Sequence, residues 1–465
     1  MSKILFINPD WHTVCYTRAR LKAGISTGYT PIGICSLAAY ARQNGHQVEI
    51  LDLNLLGFTE NILVEKLREF QPDAVGLTAV TPTIIEAGRV AAAVKKAMPQ
   101  VRIIVGGPHA TAMPEKTLEM GCFDALCVGE GERLLCQWLD GDRDVPGIWR
   151  FEEGTVTPPQ EPNPGILDLD SLPIPAFDLL DIKRYNFADV NSRNNPVAQI
   201  ESSRGCFSNC VYCNKLVHGY KLRFKSVNRV VDEIEHYLNM GFREIAFMDD
   251  SVTADMPRII EMCEEIKRRG LKFTWTPHGG VRVDRVGPEL LKAAYETGCY
   301  RIPFGVESGS ERIIKIIGKG ITLDQARTAV HDAKAAGMEV FTFFMLGLPG
   351  ETEEDLQKTI DFAIELNPHF AKFPFTTPLP GTKLFNDLDA AGRIKTYDWE
   401  KYFYTMPTKE IYDHPTLSWE TLEKYEKLAY RGFYLRPLYA AMMLGHSLHT
   451  GTFWKNTKTF LRTAW

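Results

Sequence analysis

The sequence predicts an α/β protein with an N-terminal doubly wound five-stranded domain, then a partial six-stranded βα barrel, then a mostly helical C-terminal region. Three observations predict it. Short Val-, Ile- and Leu-rich runs alternate with helix-period segments over residues 1–140, the pattern of a parallel sheet covered on both faces. A second alternation of the same kind, with six strand-like runs, occupies 196–400. Between them, 141–195 holds "TPPQEPNPG" and "LPIPAF" and keeps no sustained period, as a proline-rich linker does.

In order, "KILFI" (3–7), "QVEIL" (47–51), "DAVGL" (73–77), "VRIIV" (101–105) and "DALCV" (124–128) are continuous apolar runs that predict five buried strands. The helical segment "PIGICSLAAYARQNG" opens at Pro31 and stops at Gly45, and "TPTIIEAGRVAAAVKKAMP" runs to Pro99. Parallel open sheets bind ligands at the carboxyl ends of their strands. Those ends carry "NPDWH", "TAVT", "GGPHAT" and "GEGE", where glycines and small hydroxyl residues let a large ligand approach the backbone. Glycines that merely close tight turns explain one or two of these loops, not all four. The candidate contacts are Pro9, His12, Thr78, Thr81, Gly106, Gly107, Pro108, His109, Gly129, Glu130 and Gly131.

In the second region the expected strands are 198–203, 244–248, 272–276, 301–306, 339–346 and 370–375. Val227, Val230, Val231, Ile234 and Leu238 fall on one face of the first helix. A βα barrel presents its active groups at the carboxyl ends of its strands, and six strands instead of eight leave one side open. Residues 401–465 are helical in pattern and rich in aromatics. From Lys427 onward there are six Lys or Arg and no Asp or Glu. That stretch fits either a solvated helical face over core aromatics or contact with a membrane surface or an apolar, anionic substrate.

Composition narrows the class. The chain of 465 residues is 45% hydrophobic and 24% charged with formal net charge −5, a balance that does not call for a nucleic-acid partner. No run reaches the ~18 apolar residues of a spanning helix, and "MSKILFINPDW" lacks the features of a secretory signal. A cytoplasmic location is expected, where clustered cysteines bind metal or do redox chemistry rather than pair.

Three of the ten cysteines, Cys206, Cys210 and Cys213, form C-x3-C-x2-C directly after the first strand of the second region. Zinc would require a fourth ligand, and His218 is within reach; three buried free thiols are another reading. A [4Fe-4S] cluster held by three thiolates leaves one iron open to a further ligand. This loop, with Tyr212 just before the last cysteine, resembles that of the radical S-adenosylmethionine superfamily.

The resemblance implies that the open iron binds S-adenosylmethionine, with Tyr212 near the adenine. "FMDDS" (Asp249, Asp250), "GVESGS" (Glu307, Ser308) and "MLGLPGET" (Gly347, Gly350) then supply further contacts to the methionine, ribose and adenine parts. Asp249 and Asp250 also read as a helix N-cap pair, and Glu307 as a buried structural acid. The whole layout, including "FYLRP" at 433–437, is similar to the cobalamin-binding group of that superfamily. The four strand-end loops would then line the corrin. Asp10 and His12 match the D-x-H-x-x-G stretch that supplies an imidazole to cobalt, but Cys15 stands where the glycine belongs. A cobalt without protein imidazole is therefore the stronger expectation. The resemblance implies reductive cleavage of S-adenosylmethionine and methylation of a substrate carbon through methylcobalamin, with an oxidative cyclisation or rearrangement as the alternative. It also implies a reductant such as flavodoxin or ferredoxin and a small-molecule or lipid-like substrate. A cobalamin carrier or sensor without catalysis would need neither the cysteine loop nor the barrel.

Overall fold

The structure is a computed structural model that describes residues 1–10, 29–185, 192–402 and 408–449. His12 and Cys15 lie outside the described residues.

The first sheet contains β1 (Lys3–Asn8), β2 (Gln47–Asp52), β3 (Ala74–Thr78), β4 (Arg102–Gly106) and β5 (Ala125–Cys127), followed by β6 (Ile148–Glu152) and β7 (Thr155–Thr157). Their spatial order is β2-β1-β3-β4-β5-β6-β7. The first five pair in parallel and coincide with the five expected apolar runs. Apolar side chains leave both faces: Leu5, Ile7, Val75 and Val105 enter one core, and Ile4, Phe6 and Ile104 enter the other. The order of strands reverses between β1 and β3, so the crevice at their carboxyl ends is the topological switch point where such sheets take ligands.

β6 and β7 correct the reading of 141–195 as linker, because both add antiparallel strands to the sheet. The turn between them is Glu153-Gly154 at φ 50° and 79°. That two-residue, positive-φ hairpin connection matches the twist of the flanking strands. The prolines that suggest a linker come only after β7.

In the second region β8 (Val197–Ile200) leads into a short antiparallel pair, β9 (Ser203–Arg204) and β10 (Arg223–Phe224). This pair closes residues 205–222 into one loop, which contains all three clustered cysteines. β11 (Glu244–Phe247), β12 (Thr274–Thr276), β13 (Arg301–Glu307), β14 (Glu339–Phe344) and β15 (Phe370–Lys372) follow. β8, β11 and β12 form one parallel sheet and β13, β14 and β15 another. Parallel bridges at Trp275–Cys299 and Val281–Phe304 join them. Helices cover the outer face. Val230, Val231 and Ile234 pack there against Ala198, Ile200 and Ile245, while Ile302, Phe304 and Val306 of β13 point the same way. The pleat therefore turns Arg301 and Pro303 to the inner face.

The chain after β15 is shared between the two regions. Phe385, Trp399, Tyr402 and Tyr412 join the core of the first sheet. The helix Trp419–Tyr434, capped by the Ser418 hydroxyl, instead buries Leu422, Ala429 and Phe433 in the core of the second.

Candidate active site at the facing strand ends

The cysteine loop is fixed by backbone contacts and by a few of its own polar side chains. Gly205 has φ 92°, and a Cβ there would lie 2.4 Å from the Lys221 carbonyl oxygen. Cys206 N–H donates to Gly219 O (3.2 Å) and Val211 N–H to Ile317 O (3.0 Å). Gly318, at φ 69°, gives the Asn209 carbonyl its space, since a Cβ would stand 2.6 Å from that oxygen. Lys215 donates to the Ser208 carbonyl, and Arg282 to the Ser208 hydroxyl at 2.7 Å. Burial, and then the neighbouring Cys210, push the Cys213 thiol up to about 12.

His218 is not a fourth ligand of this loop. Its Nδ1 meets Glu130 Oε1 at 3.2 Å and its Nε2 lies 3.6 Å from Glu201. Among the described residues no three His, Cys, Asp or Glu side chains converge on one ion. A single zinc would need such convergence. Three thiolates without a fourth side-chain ligand are instead the donor set of a cluster that spreads its ligands over separate irons, so the residues fit that group.

Glu130 and Glu132 of the first region clamp the root of this loop. Arg204, two residues before Cys206 and 6% exposed, donates to Glu130 Oε1 (3.2 Å), Glu132 Oε1 (2.7 Å) and Glu201 Oε2 (3.2 Å). Arg223 adds a 2.7 Å bond to Glu130 Oε2, which also accepts from Ile166 N–H at 2.7 Å. Burial alone would raise the Glu130 carboxyl, but His218, Arg223 and Arg204 outweigh it and hold it down to about 2. In return Glu130 and Glu201 overcome the burial of His218 and lift it to about 9. Glu130, expected to line a ligand, is thus engaged between the two regions.

The other expected contacts divide into groups. Tyr212 packs against both large cores, and burial followed by the Glu307 charge raises its hydroxyl well above the ordinary range. Glu307 sits at φ 68° beside a register shift in β13 and pairs with Lys319 at 2.6 Å. A Cβ on Gly305 would lie 2.7 Å from both partners of that pair. Burial alone would lower Lys319, yet Glu307 and Cys210 raise it. Ser308 is turned outward and shares its hydroxyl with Thr359 (3.1 Å).

Asp249 is buried and accepts from Ser202 N–H (2.9 Å), Ser202 Oγ (2.6 Å) and Ser203 Oγ (2.5 Å). It ties β11 to the strand that feeds the cysteines, while Asp250 is exposed. Gly347 and Gly350 have φ 77° and 73°. The Glu351 carboxylate receives Gly347 N–H (2.7 Å) and Leu348 N–H (2.9 Å), and burial first of all raises it to about 8. Lys319, Glu351, Arg204 and Ser202 contact the candidate site residues and were not singled out from the sequence. Only the run Ser202-Ser203-Arg204 beside the first cysteine signalled any of them.

At the ends of the first sheet, Thr78, Gly106, Gly107, Gly129 and Gly131 line a narrow slot walled by Phe6, Ile34, Leu37 and Leu135. A Cβ on Gly107, at φ 97°, would lie 2.8 Å from Ala79 O and Thr78 Oγ1, and one on Gly131 3.2 Å from Leu37. Glycine is thus required by close packing at these strand ends, and a slot floored by glycine and walled by apolar side chains is of a chemistry that fits an apolar part of a cobalamin. Pro9 is buried directly after β1 and is not among the residues that line the slot. Pro108 opens the helix Pro108–Ala112. His109 faces away from the slot: 1% exposed, it contacts Thr81 Oγ1 (3.2 Å) and the Trp399 ring (5.0 Å between centroids). Burial lowers its imidazole to about 4. His109 and Thr81 therefore belong to the contact with the C-terminal region rather than to the rim.

A cavity of about 700 Å³ runs along the inner face of β13, β14 and β15. The helix Trp419–Tyr434 covers it with Trp419, Glu423, Glu426 and Tyr430.

The comparisons agree with this layout. Residues 200–363 match the model of the radical SAM superfamily, and 22–138 that of the B12 binding domain. A protein of Pyrococcus horikoshii named as an uncharacterized methyltransferase is 36% identical over 94% of this chain and 93% of its own length. The anaerobic magnesium-protoporphyrin IX monomethyl ester cyclase of Rubrivivax gelatinosus is 29% identical over 87% of this chain and 73% of its own. The solved structure of the radical S-adenosylmethionine methyltransferase TsrM from Kitasatospora setae, with cobalamin and a [4Fe-4S] cluster bound, superposes with TM-score 0.69 at 18% identity. It covers 85% of this chain and 76% of that one. With a C-x3-C-x2-C loop closed between β9 and β10 and clamped onto a glycine-floored parallel sheet, the chain belongs to the cobalamin-binding radical S-adenosylmethionine superfamily of enzymes.

Proposed function

We propose that the protein methylates a carbon centre of a small substrate, using a [4Fe-4S] cluster, S-adenosylmethionine and cobalamin. The observation that carries this reading is the buried charge network of Glu130, Glu132, Arg204 and Arg223, which holds the glycine-floored slot against the cysteine loop. Cys206, Cys210 and Cys213 would hold the cluster. Tyr212, Glu307, Gly347 and Gly350 would surround S-adenosylmethionine, with Asp249 acting through Ser202 and Ser203. Thr78, Gly106, Gly107, Gly129 and Gly131 would hold the corrin. When bound, these groups supply reductive cleavage of S-adenosylmethionine, hydrogen-atom removal from an unactivated carbon and a transferable methyl group.

The chain's own share is placement. Tyr212 and the buried Glu307–Lys319 pair keep water from the cluster side, Lys319 sets a positive charge beside Cys210, and the inner-face cavity orients the reacting carbon. An electron donor such as flavodoxin or ferredoxin would reduce the cluster. A cytoplasmic location follows from the same reading. Among the described residues no helix is long and apolar enough to cross a membrane. The helix Pro437–His449 nevertheless exposes Leu438 (82%) and Leu448 (64%), which supports surface contact of the C-terminal region. The first domain is taken to run through β7, past the boundary expected at 140, with the later divisions at 195 and 400.

The cyclase from Rubrivivax gelatinosus favours a second reading, an oxidative cyclisation with the same groups. Anaerobic reconstitution with iron, sulfide, cobalamin and a strong reductant tests both. Methylation adds one CH2 to the product mass and cyclisation removes hydrogen. Formation of 5′-deoxyadenosine that survives Cys210→Ala would sink the cluster assignment.

A further inference from the structure

The helix Pro437–His449 is apolar on the side that faces out as well as along the side that packs. Its packed side is fixed at the amino ends of β14 and β15. Tyr439 Oη donates to the His369 carbonyl (2.8 Å), and the His446 imidazole meets Glu339 Oε1 at 3.3 Å and lies 4.7 Å from the His369 ring. Arg436 anchors the root of the helix by donating to Asn367 Oδ1 (2.9 Å) and Ile364 O (3.2 Å). With that side held, the outer side cannot turn inward. It carries Ala441, Leu444, Gly445 and Leu448, one stripe at i, i+3, i+4 and i+7, with Leu438 a turn before it. Leu438 is 82% exposed, Leu444 50% and Leu448 64%. Among the helix residues whose side chains are described, no exposed one is polar. A helix in contact with water is ordinarily polar on its outer face, so this stripe is suited to an apolar cover.

Length, area and charge select that cover. The helix has 13 residues. At ~20 Å it is shorter than the ~30 Å hydrocarbon core of a bilayer, so it can lie along a membrane but not cross one. A second copy meeting it stripe to stripe would bury on the order of 400 Å² in all, from a strip of ~20 by ~10 Å on each partner, against the ~1,200 Å² of a stable interface. From Lys427 to the end the chain has six Lys or Arg and no Asp or Glu. Lys455, Lys458 and Arg462 belong to 450–465, outside the described residues, as do Trp454 and Trp465. Cations and tryptophans next to an apolar helix face are complementary to the anionic headgroups and interfacial zone of a lipid bilayer.

We propose that the helix Pro437–His449 docks the protein on an anionic membrane surface. Leu438, Leu444 and Leu448 enter the interfacial zone, and the basic residues of the C-terminal stretch meet lipid phosphates. This docking does not depend on which reaction the enzyme performs.

Flotation of the full anaerobically reconstituted chain, without reductant, tests it, using vesicles of phosphatidylcholine alone and of phosphatidylcholine with about one-third phosphatidylglycerol. The parent should partition onto the anionic vesicles at least about 10-fold more strongly than onto the neutral ones, as expected for a few cations near the surface. The double variant Leu444→Gln/Leu448→Gln should lose at least about 10-fold of that binding, and Leu444→Met/Leu448→Met should keep it. Leu167→Gln, the same change at a leucine 71% exposed elsewhere, should bind as the parent does. Should the double glutamine variant fail to incorporate iron, Leu438→Gln, at the most exposed of the three positions, supplies the same readout. No flotation of the parent, equal binding to both kinds of vesicle, undiminished binding of the glutamine variants, or an equal loss in Leu167→Gln would each overturn the proposal. So would a dimer in vesicle-free solution that the glutamine variants abolish, since a second copy would then cover the stripe. Because no turnover is needed, failure of the methylation reading is seen separately, as absence of 5′-deoxyadenosine when reductant is added to the parent.

Discussion

Replacing Arg204 by Met should loosen the first sheet from the cysteine loop. The guanidinium is 6% exposed and is shared by Glu130, Glu132 and Glu201. Glu130 keeps Arg223, His218 and the Ile166 N–H, so its charge stays compensated. Among the described residues Glu132 keeps only the Ser36 hydroxyl, at 3.0 Å, and is left as a buried carboxylate with no cation in ion-pair contact. Breaking a buried pair from one side costs ~3–5 kcal/mol, and that loss is expected in urea unfolding of the reconstituted chain.

Adding Glu132→Gln removes the stranded charge, so the double variant should recover part of the loss, with a coupling energy of ~0.5–3 kcal/mol. The pH profile supplies a second readout. Glu130, held down to about 2 from 4.5, contributes stability that is present above 4.5 and is lost as pH falls towards 2. His218, lifted to about 9 from 6.5, contributes stability that is complete below 6.5 and is lost as pH rises through 9. The clamp is therefore strongest between these two windows, and bleaching of the cluster by a chelator should be slowest there. A single variant within ~1 kcal/mol of the parent, with strictly additive double-variant behaviour, would refute the clamp.

Further outcomes follow from the same geometry. Glu351 is buried with Oε1 unpartnered among the described residues and its carboxyl raised to about 8 from 4.5. Its folded form keeps a proton that the unfolded chain has released, so its contribution to stability falls as pH rises from 4.5 to 8. Glu351→Gln should match the parent near pH 4.5 and exceed it at pH 8.5 by on the order of 1–4 kcal/mol, read from urea midpoints. Gly318→Ala should cost ~1–2 kcal/mol for its left-handed backbone and set a Cβ 2.6 Å from the Asn209 carbonyl oxygen, a contact that the cysteine loop must shift to relieve. Iron content after reconstitution should fall while far-ultraviolet circular dichroism is unchanged.

The apolar runs at 3–7, 47–51, 73–77, 101–105 and 124–128 were sufficient to determine five parallel strands, because buried parallel strands need no partner information to be recognised. The cysteine spacing left zinc, free thiols and an iron–sulfur cluster open, and the resemblance of the whole loop to a known superfamily pointed to the cluster, which the match to that family's model supports. Short-range signals failed where pairing is long-range. β6 and β7 are visible only as a hairpin added to an existing edge, and nothing local marks Glu130 as the partner of Arg204, 74 residues away. Sequence also could not say that His109 turns towards Trp399 while Gly107 beside it floors the slot, because which way a strand-end loop faces depends on what packs behind it. By itself, then, the sequence determined the buried parallel strands and, through the resemblance of its cysteine loop, the kind of cofactors, because both are set by residue type at short spacing. Only the tertiary structure decided which charges are spent on holding the two regions together, because burial and pairing are properties of distant segments brought into contact.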